Sequence, residues 1–399
     1  MSRTRRTARI AAIAGSALLA AALTACSGGS GGGSGSGDGK NAELKPKGPM
    51  AISVNLTGSE VKAGEPVKVT LAEGKLTQVK VTDAKGGELV GQISADGRTW
   101  TSERNASPGG QYKVEAQNAD SQTATAQFKT SAADKVNKVS IYPGKNSTVG
   151  VAQPVSLVFD NPVKNKAEVE KHLKVTTSNN TEGSWGWMTD YSGKDRVDWR
   201  PKEYWKSGTD VKVQMDLNGV NSGQGGGYFV RDYNTEFKIG KDRRLLVNLD
   251  TKQMTVTEDG QTVKTIPVSA GTPGGQKASW SGKMALMSKE GTINMNSETV
   301  GLGDAYNKMV DSSMRVTWSG MYIHAAPWNE GKFGRVNASS GCVGMSSGNA
   351  AALFSMAQIG DVVEVSGGGS KGDAKLGNGY TEWNLSWEEW KAKSAANGG

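Results

Sequence analysis

From Ala51 onward the chain is made of short runs in which apolar and polar residues alternate, each soon interrupted by glycine, aspartate or asparagine. Val67-Lys68-Val69, Gln78-Val79-Lys80-Val81 and Tyr112-Lys113-Val114-Glu115-Ala116 show the pattern. A period of two puts successive side chains on opposite faces of a strand, and frequent turns keep the strands short. The pattern predicts a mainly β protein whose sheets pack face to face. At 399 residues the chain exceeds one ordinary core, and two or three domains are expected.

Residues 50–131 read as a first β-sandwich, in which Trp100 and Tyr112, the latter after Pro108-Gly109-Gly110-Gln111, resemble the inward tryptophan and late-strand tyrosine of an immunoglobulin-like domain. Residues 135–240 repeat the style as a second such domain, with Val155-Ser156-Leu157-Val158-Phe159 and Val211-Lys212-Val213-Gln214-Met215. Trp185, Trp187, Trp199 and Trp205 pack its core and a domain junction, in preference to forming a sugar-stacking platform. His172 has a charged neighbourhood and reads as a surface residue.

A third domain is expected over 241–367. It opens with a hairpin, Leu245–Leu249 and Met254–Thr257 about Asp250-Thr251-Lys252-Gln253. Further strands fit 266–270, 283–287, 321–324 and 362–365, and a short helix fits 350–357, with Ser346 or Ser347 as its cap and Gly360 closing it. The tail 368–399, bearing Trp383, Trp387 and Trp390, is expected to fold back onto this third domain.

The first 49 residues have a different character. Residues 1–25 run from Arg3, Arg5, Arg6 and Arg9 through an apolar stretch to Leu23-Thr24-Ala25, and Cys26 follows. This resembles a bacterial lipoprotein signal, in which the cysteine receives a diacylglyceryl group and becomes the new N-terminus. Residues 26–49, a lipidated cysteine and a Gly/Ser-rich stretch, then read as a tether spanning on the order of 25–30 Å. The expected location is the outer face of the cell membrane, anchored by lipid and reaching into the wall. Removal of the four signal arginines takes the formal charge from +8 to about +4, which leaves no basic stripe for nucleic acid.

With Cys26 acylated, Cys342 is the remaining thiol, so it has no partner for an intramolecular disulfide. It lies among small turn-forming residues, Ser339-Ser340-Gly341-Cys342-Val343-Gly344, as a presented thiol does. A useful thiol needs a base. The chain has two histidines, and His324 lies eighteen residues upstream where Met321-Tyr322-Ile323 ends. Residue chemistry alone leaves a Cys-His nucleophilic site and a packing cysteine both open.

Tyr322-Ile323-His324-Ala325-Ala326-Pro327-Trp328 followed by Ser339-Ser340-Gly341-Cys342-Val343 resembles the active-site segment of L,D-transpeptidases with the YkuD-type catalytic domain. The likeness runs from about Leu245 to Val365, and the two preceding modules and Trp-bearing tail resemble the actinobacterial lipoprotein members. It implies a β-rich catalytic domain, Cys342 as the nucleophile that attacks the third residue of a peptidoglycan tetrapeptide stem and expels D-alanine, and His324 as the base. The Ala325 carbonyl would orient the imidazole. The Gly341 and Cys342 amides would form an oxyanion hole. Tyr306, Met295, Ser297, Thr299, Trp328, Ser340 and Asn337 would line the substrate cleft. No metal or cofactor is implied, and carbapenems are expected as covalent inhibitors.

Two positions depart from the family's pattern: Ser340 stands for a histidine and Gly344 for arginine or asparagine, which removes two side-chain hydrogen-bonding groups from the cysteine turn. Hydrolysis of the same acyl-enzyme, giving an L,D-carboxypeptidase, and a wall-binding lipoprotein with an impaired site are the competing readings. A histidine/cysteine zinc site lacks ligands, and Gly271–Ala278 lacks the Gly-Lys-Ser/Thr ending of a phosphate loop and reads as a turn.

Overall fold

The computed structural model describes residues 50–56, 63–304 and 306–396. The signal and tether expected over 1–49, with Cys26, lie outside the described residues. Among the described residues no helix is long and apolar enough to cross a membrane.

Two sheets form the first module. One orders Ile52–Val54, Pro66–Leu71, Thr99–Asn105 and Gly91–Ile93, and the other Glu88–Leu89, Leu76–Asp83, Gln111–Asn118 and Thr123–Lys129. Every second residue of Pro66–Leu71 is buried, so Val67, Val69 and Leu71 enter the core beside Trp100, which pairs with Val69 on the neighbouring strand. Tyr112 stacks on Phe128 at 4.9 Å while its hydroxyl accepts a hydrogen bond from the Ser107 amide at 2.7 Å. An apolar body with a satisfied polar tip is how a tyrosine enters a core.

The second module also has two four-stranded sheets, Ser147–Val149, Tyr233–Ile239, Asp210–Met215 and Leu173–Thr177 against Gly183–Thr189, Asp195–Pro201, Val155–Phe159 and Val139–Tyr142. Trp185, Trp187, Trp199 and Trp205 are all buried in its core, which leaves no exposed platform for sugar rings. His172 is half-buried and pairs with Glu168 at 3.4 Å, rather than standing free on the surface.

In the third domain a five-stranded sheet runs Gln261–Pro267, Gln253–Glu258, Arg243–Asn248, Val362–Ser366 and Gly282–Ala285. A four-stranded sheet runs Ser288–Asn296, Asn307–Arg315, Tyr322–Ala325 and Val343–Met345. One apolar core joins the two sheets and the helix Ser347–Met356, which inserts Ala350 and Leu353 and is capped by Ser346. The helix ends at Met356 with Ala357 as its C-cap, within a residue of the expected end, and Gly360 follows at φ +86 in the turn to the last strand.

The tail corrects the expectation for 368–399. It first follows the third domain, where Tyr380 and Asp373 bond Ala285 and Ser281, and then crosses to the second module. There Trp390 is fully buried against Gly186, whose missing Cβ would lie 2.6 Å from the indole. The Trp390 indole donates to the Ser184 carbonyl, and the Lys393 carbonyl accepts from the Trp187 amide. Arg200 of the second module lies over the rings of Trp383, Trp387 and Trp390 at 5.0–5.5 Å. The tryptophans foretold burial; nothing in their spacing told which neighbour they would cover.

Candidate active site

The strand Tyr322–Ala325 is buried at all four positions and runs parallel to Val343–Met345, with Ile323 opposite Val343 and His324 opposite Gly344. Cys342 therefore leads into the second strand beside the first, two residues before Gly344, the residue level with His324. Both side chains line a cavity of about 200 Å³ together with Trp328, Tyr306 and Met295.

The imidazole is fixed by its own strand: Nδ1 donates to the Ala325 carbonyl at 2.7 Å, and the ring stacks on Trp328 at 5.9 Å. That bond leaves the proton on Nδ1 and the lone pair on Nε2. Burial lowers the His324 pKa, and the nearby Lys308 charge pushes the same way, so the ring is held neutral. Cys342 is buried too, which pushes its thiol up to about 11, against a smaller pull from the Tyr322 amide, Lys371 and Arg315. Its Sγ donates to the Gly320 carbonyl at 3.5 Å. A neutral thiol and a neutral imidazole thus line the same cavity, and a thiolate would form there only by giving up its proton.

Three serines hold the turn that presents the thiol. The Ser339 hydroxyl donates to the Cys342 carbonyl at 2.6 Å and accepts from the Gly341 amide at 3.2 Å. The Ser279 hydroxyl donates to the Gly341 carbonyl at 2.8 Å and accepts from the Gly271 amide. Backbone bonds from Ser269 to Gly344 run in both directions at 2.9 Å. Gly341 has φ +123, where a side chain is strained whatever the space around it. At Gly344 a Cβ would approach that of Ala326 to 2.8 Å, so close packing takes the place of a polar side chain. Ser269 and Ser279 were missed in the sequence because they act from 60 to 75 residues upstream.

Several expected residues are redistributed. Met295 and Thr299 do line a crevice of about 370 Å³, shared with Arg315, Trp318 and Tyr322. Tyr306 borders this crevice, the Cys342 cavity and a third crevice of about 460 Å³, which Ser340 also enters. Ser297 is a correction: it is fully buried, and its hydroxyl binds the Gly303 carbonyl and the Tyr306 amide inside the turn that carries Tyr306. Asn337 is another, since its amide joins the Leu249 carbonyl to the Ala270 amide. Both polar side chains satisfy buried backbone and face no substrate space. The Gly341 amide, expected in the oxyanion hole, is taken by Ser339, whereas the Cys342 amide and the Tyr306 hydroxyl have no hydrogen-bond partner among the described residues.

Residues 242–365 match the family of L,D-transpeptidase catalytic domains, YkuD, and residues 58–221 match the bacterial Ig domain family. L,D-transpeptidase 2 of Mycobacterium tuberculosis (strain CDC 1551 / Oshkosh) is 32% identical over 363 residues, which cover 88% of this chain and 86% of that protein. The chain belongs to the L,D-transpeptidase family. L,D-transpeptidase 5 of Mycobacterium tuberculosis (strain ATCC 25618 / H37Rv) is 28% identical over 335 residues, covering 83% and 73% respectively. A solved LD transpeptidase in complex with imipenem has 32% identity over 58% of this chain and 100% of its own, with a TM-score of 0.49. In this L,D-transpeptidase the turn that carries Cys342 is held by serine hydroxyls.

Proposed function

We propose that Cys342 and His324 carry out L,D-transpeptidation on peptidoglycan stems through a thioester. The observation that carries this is the shared cavity, which both the Cys342 side chain and an imidazole whose lone pair is left on Nε2 by the Ala325 carbonyl line. On attack at the third-residue carbonyl, the Cys342 proton passes to His324 Nε2 and the carbonyl oxygen becomes an oxyanion. The Cys342 amide and the Tyr306 hydroxyl are the donors open to receive it, each contributing on the order of 3 kcal/mol to the barrier. Collapse breaks the amide bond, His324 returns its proton to the departing D-alanine amine, and the stem stays on sulfur. An acceptor amine then attacks the thioester, gives a proton to His324, and leaves Cys342 free as a thiol once that proton returns.

Carbapenems, whose strained lactam carbonyl offers the same electrophile, acylate Cys342 in this reading. The signal-like run ending at Cys26 supports lipid anchoring on the outer face of the membrane, with the two Ig-like modules as spacers. Incubation of residues 50–399 with tetrapeptide stems tests the chemistry by product analysis and intact mass. Cross-linked dimers and an adduct on Cys342, both absent in Cys342→Ala, are expected. Tripeptides without dimers would make the enzyme a carboxypeptidase, and no adduct at all would overturn the reading. Metabolic lipid labelling lost in Cys26→Ala tests the anchor.

A further inference from the structure

Three cations surround the reacting thiol, and they differ in how their charge is used. Arg315 donates to Glu290 at 2.8 Å and lies over Tyr322 at 4.5 Å, so its charge is neutralised. Lys308 covers Trp328 at 4.2 Å on the histidine side. Lys371 comes from the tail, beyond the last strand of the domain, and enters the crevice of about 460 Å³ that Ser340, Gly341 and Gly320 border. It makes no ion pair with any acid among the described residues. Its ammonium rests over the Trp280 ring at 5.5 Å.

The backbone beneath Lys371 is fixed on the cysteine turn itself. The Lys371 amide donates to the Ser279 carbonyl at 2.9 Å, and the Ser279 hydroxyl holds the Gly341 carbonyl. Next to it, Gly372 and Ser370 bond Ser281, and Gly369 bonds Gly274. Trp280, which supports the ammonium, is held through its indole N–H by Ser319 at 2.9 Å. An unpaired cation on so well-braced a site is a prepared partner for an anion.

We propose that Lys371 binds a carboxylate of the stem peptide in this crevice, beside the scissile carbonyl, and so sets substrate selectivity. The proposal rests on the transpeptidase reading above. Two carboxylates have this chemistry: the C-terminal one of the departing D-alanine, and a side-chain carboxylate on the third residue where that residue is a diamino diacid. Partial desolvation lowers the Lys371 pKa while the Cys342 sulfur raises it, which agrees with a cation that faces the reacting centre.

The test measures kcat and KM for four tetrapeptide stems, with each of the two carboxylates free or amidated, on wild type, Lys371→Met and Lys371→Arg. A charge-assisted hydrogen bond is worth about 1.5–3 kcal/mol, or roughly tenfold or more. Wild type is expected to prefer one free carboxylate over its amide by about that factor, mainly in KM, and the stem that shows it identifies the carboxylate. In Lys371→Met the free-to-amide ratio collapses toward one, and Lys371→Arg keeps most of it. An equal fall on all four stems, accompanied by a shifted pH profile of Cys342 alkylation, would mean that Lys371 serves the thiolate and would overturn carboxylate binding. An equal rate on all four stems in wild type would overturn it as well. If wild type acylates with no stem, the transpeptidase reading itself fails, an outcome distinct from a wild type that turns over without selectivity.

Discussion

The His324 imidazole donates to the carbonyl of Ala325, the next residue of the same strand, at 2.7 Å. A backbone acceptor cannot be removed by substitution, so the tautomer of the base is written into the strand that carries it. The imidazole tautomer is fixed in the resting fold, whereas burial keeps the Cys342 thiol protonated near neutral pH.

That asymmetry gives a pH signature. With the Cys342 thiol pushed up to about 11, its alkylation by iodoacetamide in the absence of substrate should climb steadily through the alkaline range. A plateau already reached at neutral pH would reveal a preformed thiolate-imidazolium pair instead. With His324 lowered, the acid limb of kcat/KM should fall below the ordinary histidine value of 6.5.

Ser279→Ala removes one hydroxyl that serves both the Gly341 carbonyl and the Gly271 amide. Leaving these buried groups unpaired costs about 1–3 kcal/mol. We expect a lower melting temperature and a fall in kcat of about tenfold, with Ser279→Thr recovering part of both. Unchanged kcat would show that the cysteine turn holds without it.

Gly341→Ala tests the turn from the other side. At φ +123 a Cβ adds strain of about 1–3 kcal/mol even though the nearest atom, the Ala278 carbonyl oxygen, lies 3.5 Å away. Acylation by a carbapenem, followed by intact mass, should slow by about tenfold or more.

Glu382 of the tail is fully buried beside Asp198, and neither of its carboxylate oxygens has a protein partner. Burial, and then the Asp198 charge, hold its pKa well above the ordinary 4.5. The folded state keeps this proton after the unfolded chain has lost it, so its contribution is complete below 4.5 and is lost as pH rises from there through the folded value. Glu382→Gln, which stays neutral throughout, should gain melting temperature relative to wild type as pH goes from about 4 to about 9. A difference that stays flat over that range would contradict this.

The parts of the site that lie close in sequence were legible there. Cys342 and His324 sit in two short motifs that the family resemblance picks out where residue chemistry alone leaves a packing cysteine open, and the hairpin about Asp250 carries a clean alternation. The hairpin of Ser288–Asn296 and Asn307–Arg315 was not read as strands, because its outer strand has no buried residue and so no apolar stripe to reveal it. Ser297 and Asn337 were misread for a related reason. A polar residue near a motif looks ligand-facing in sequence, but here each satisfies buried backbone. Lys371 was invisible because the tail returns to the cysteine turn only in three dimensions.

Trp390 closes the tail over Gly186 only after the chain has left the third domain's last strand, Val362–Ser366. One segment therefore stitches the domain that carries Cys342 and His324 to the module before it. Loss of that indole would leave both side chains in place on a loosened joint, so the angle at which the domain is presented depends on a residue far from its cavity.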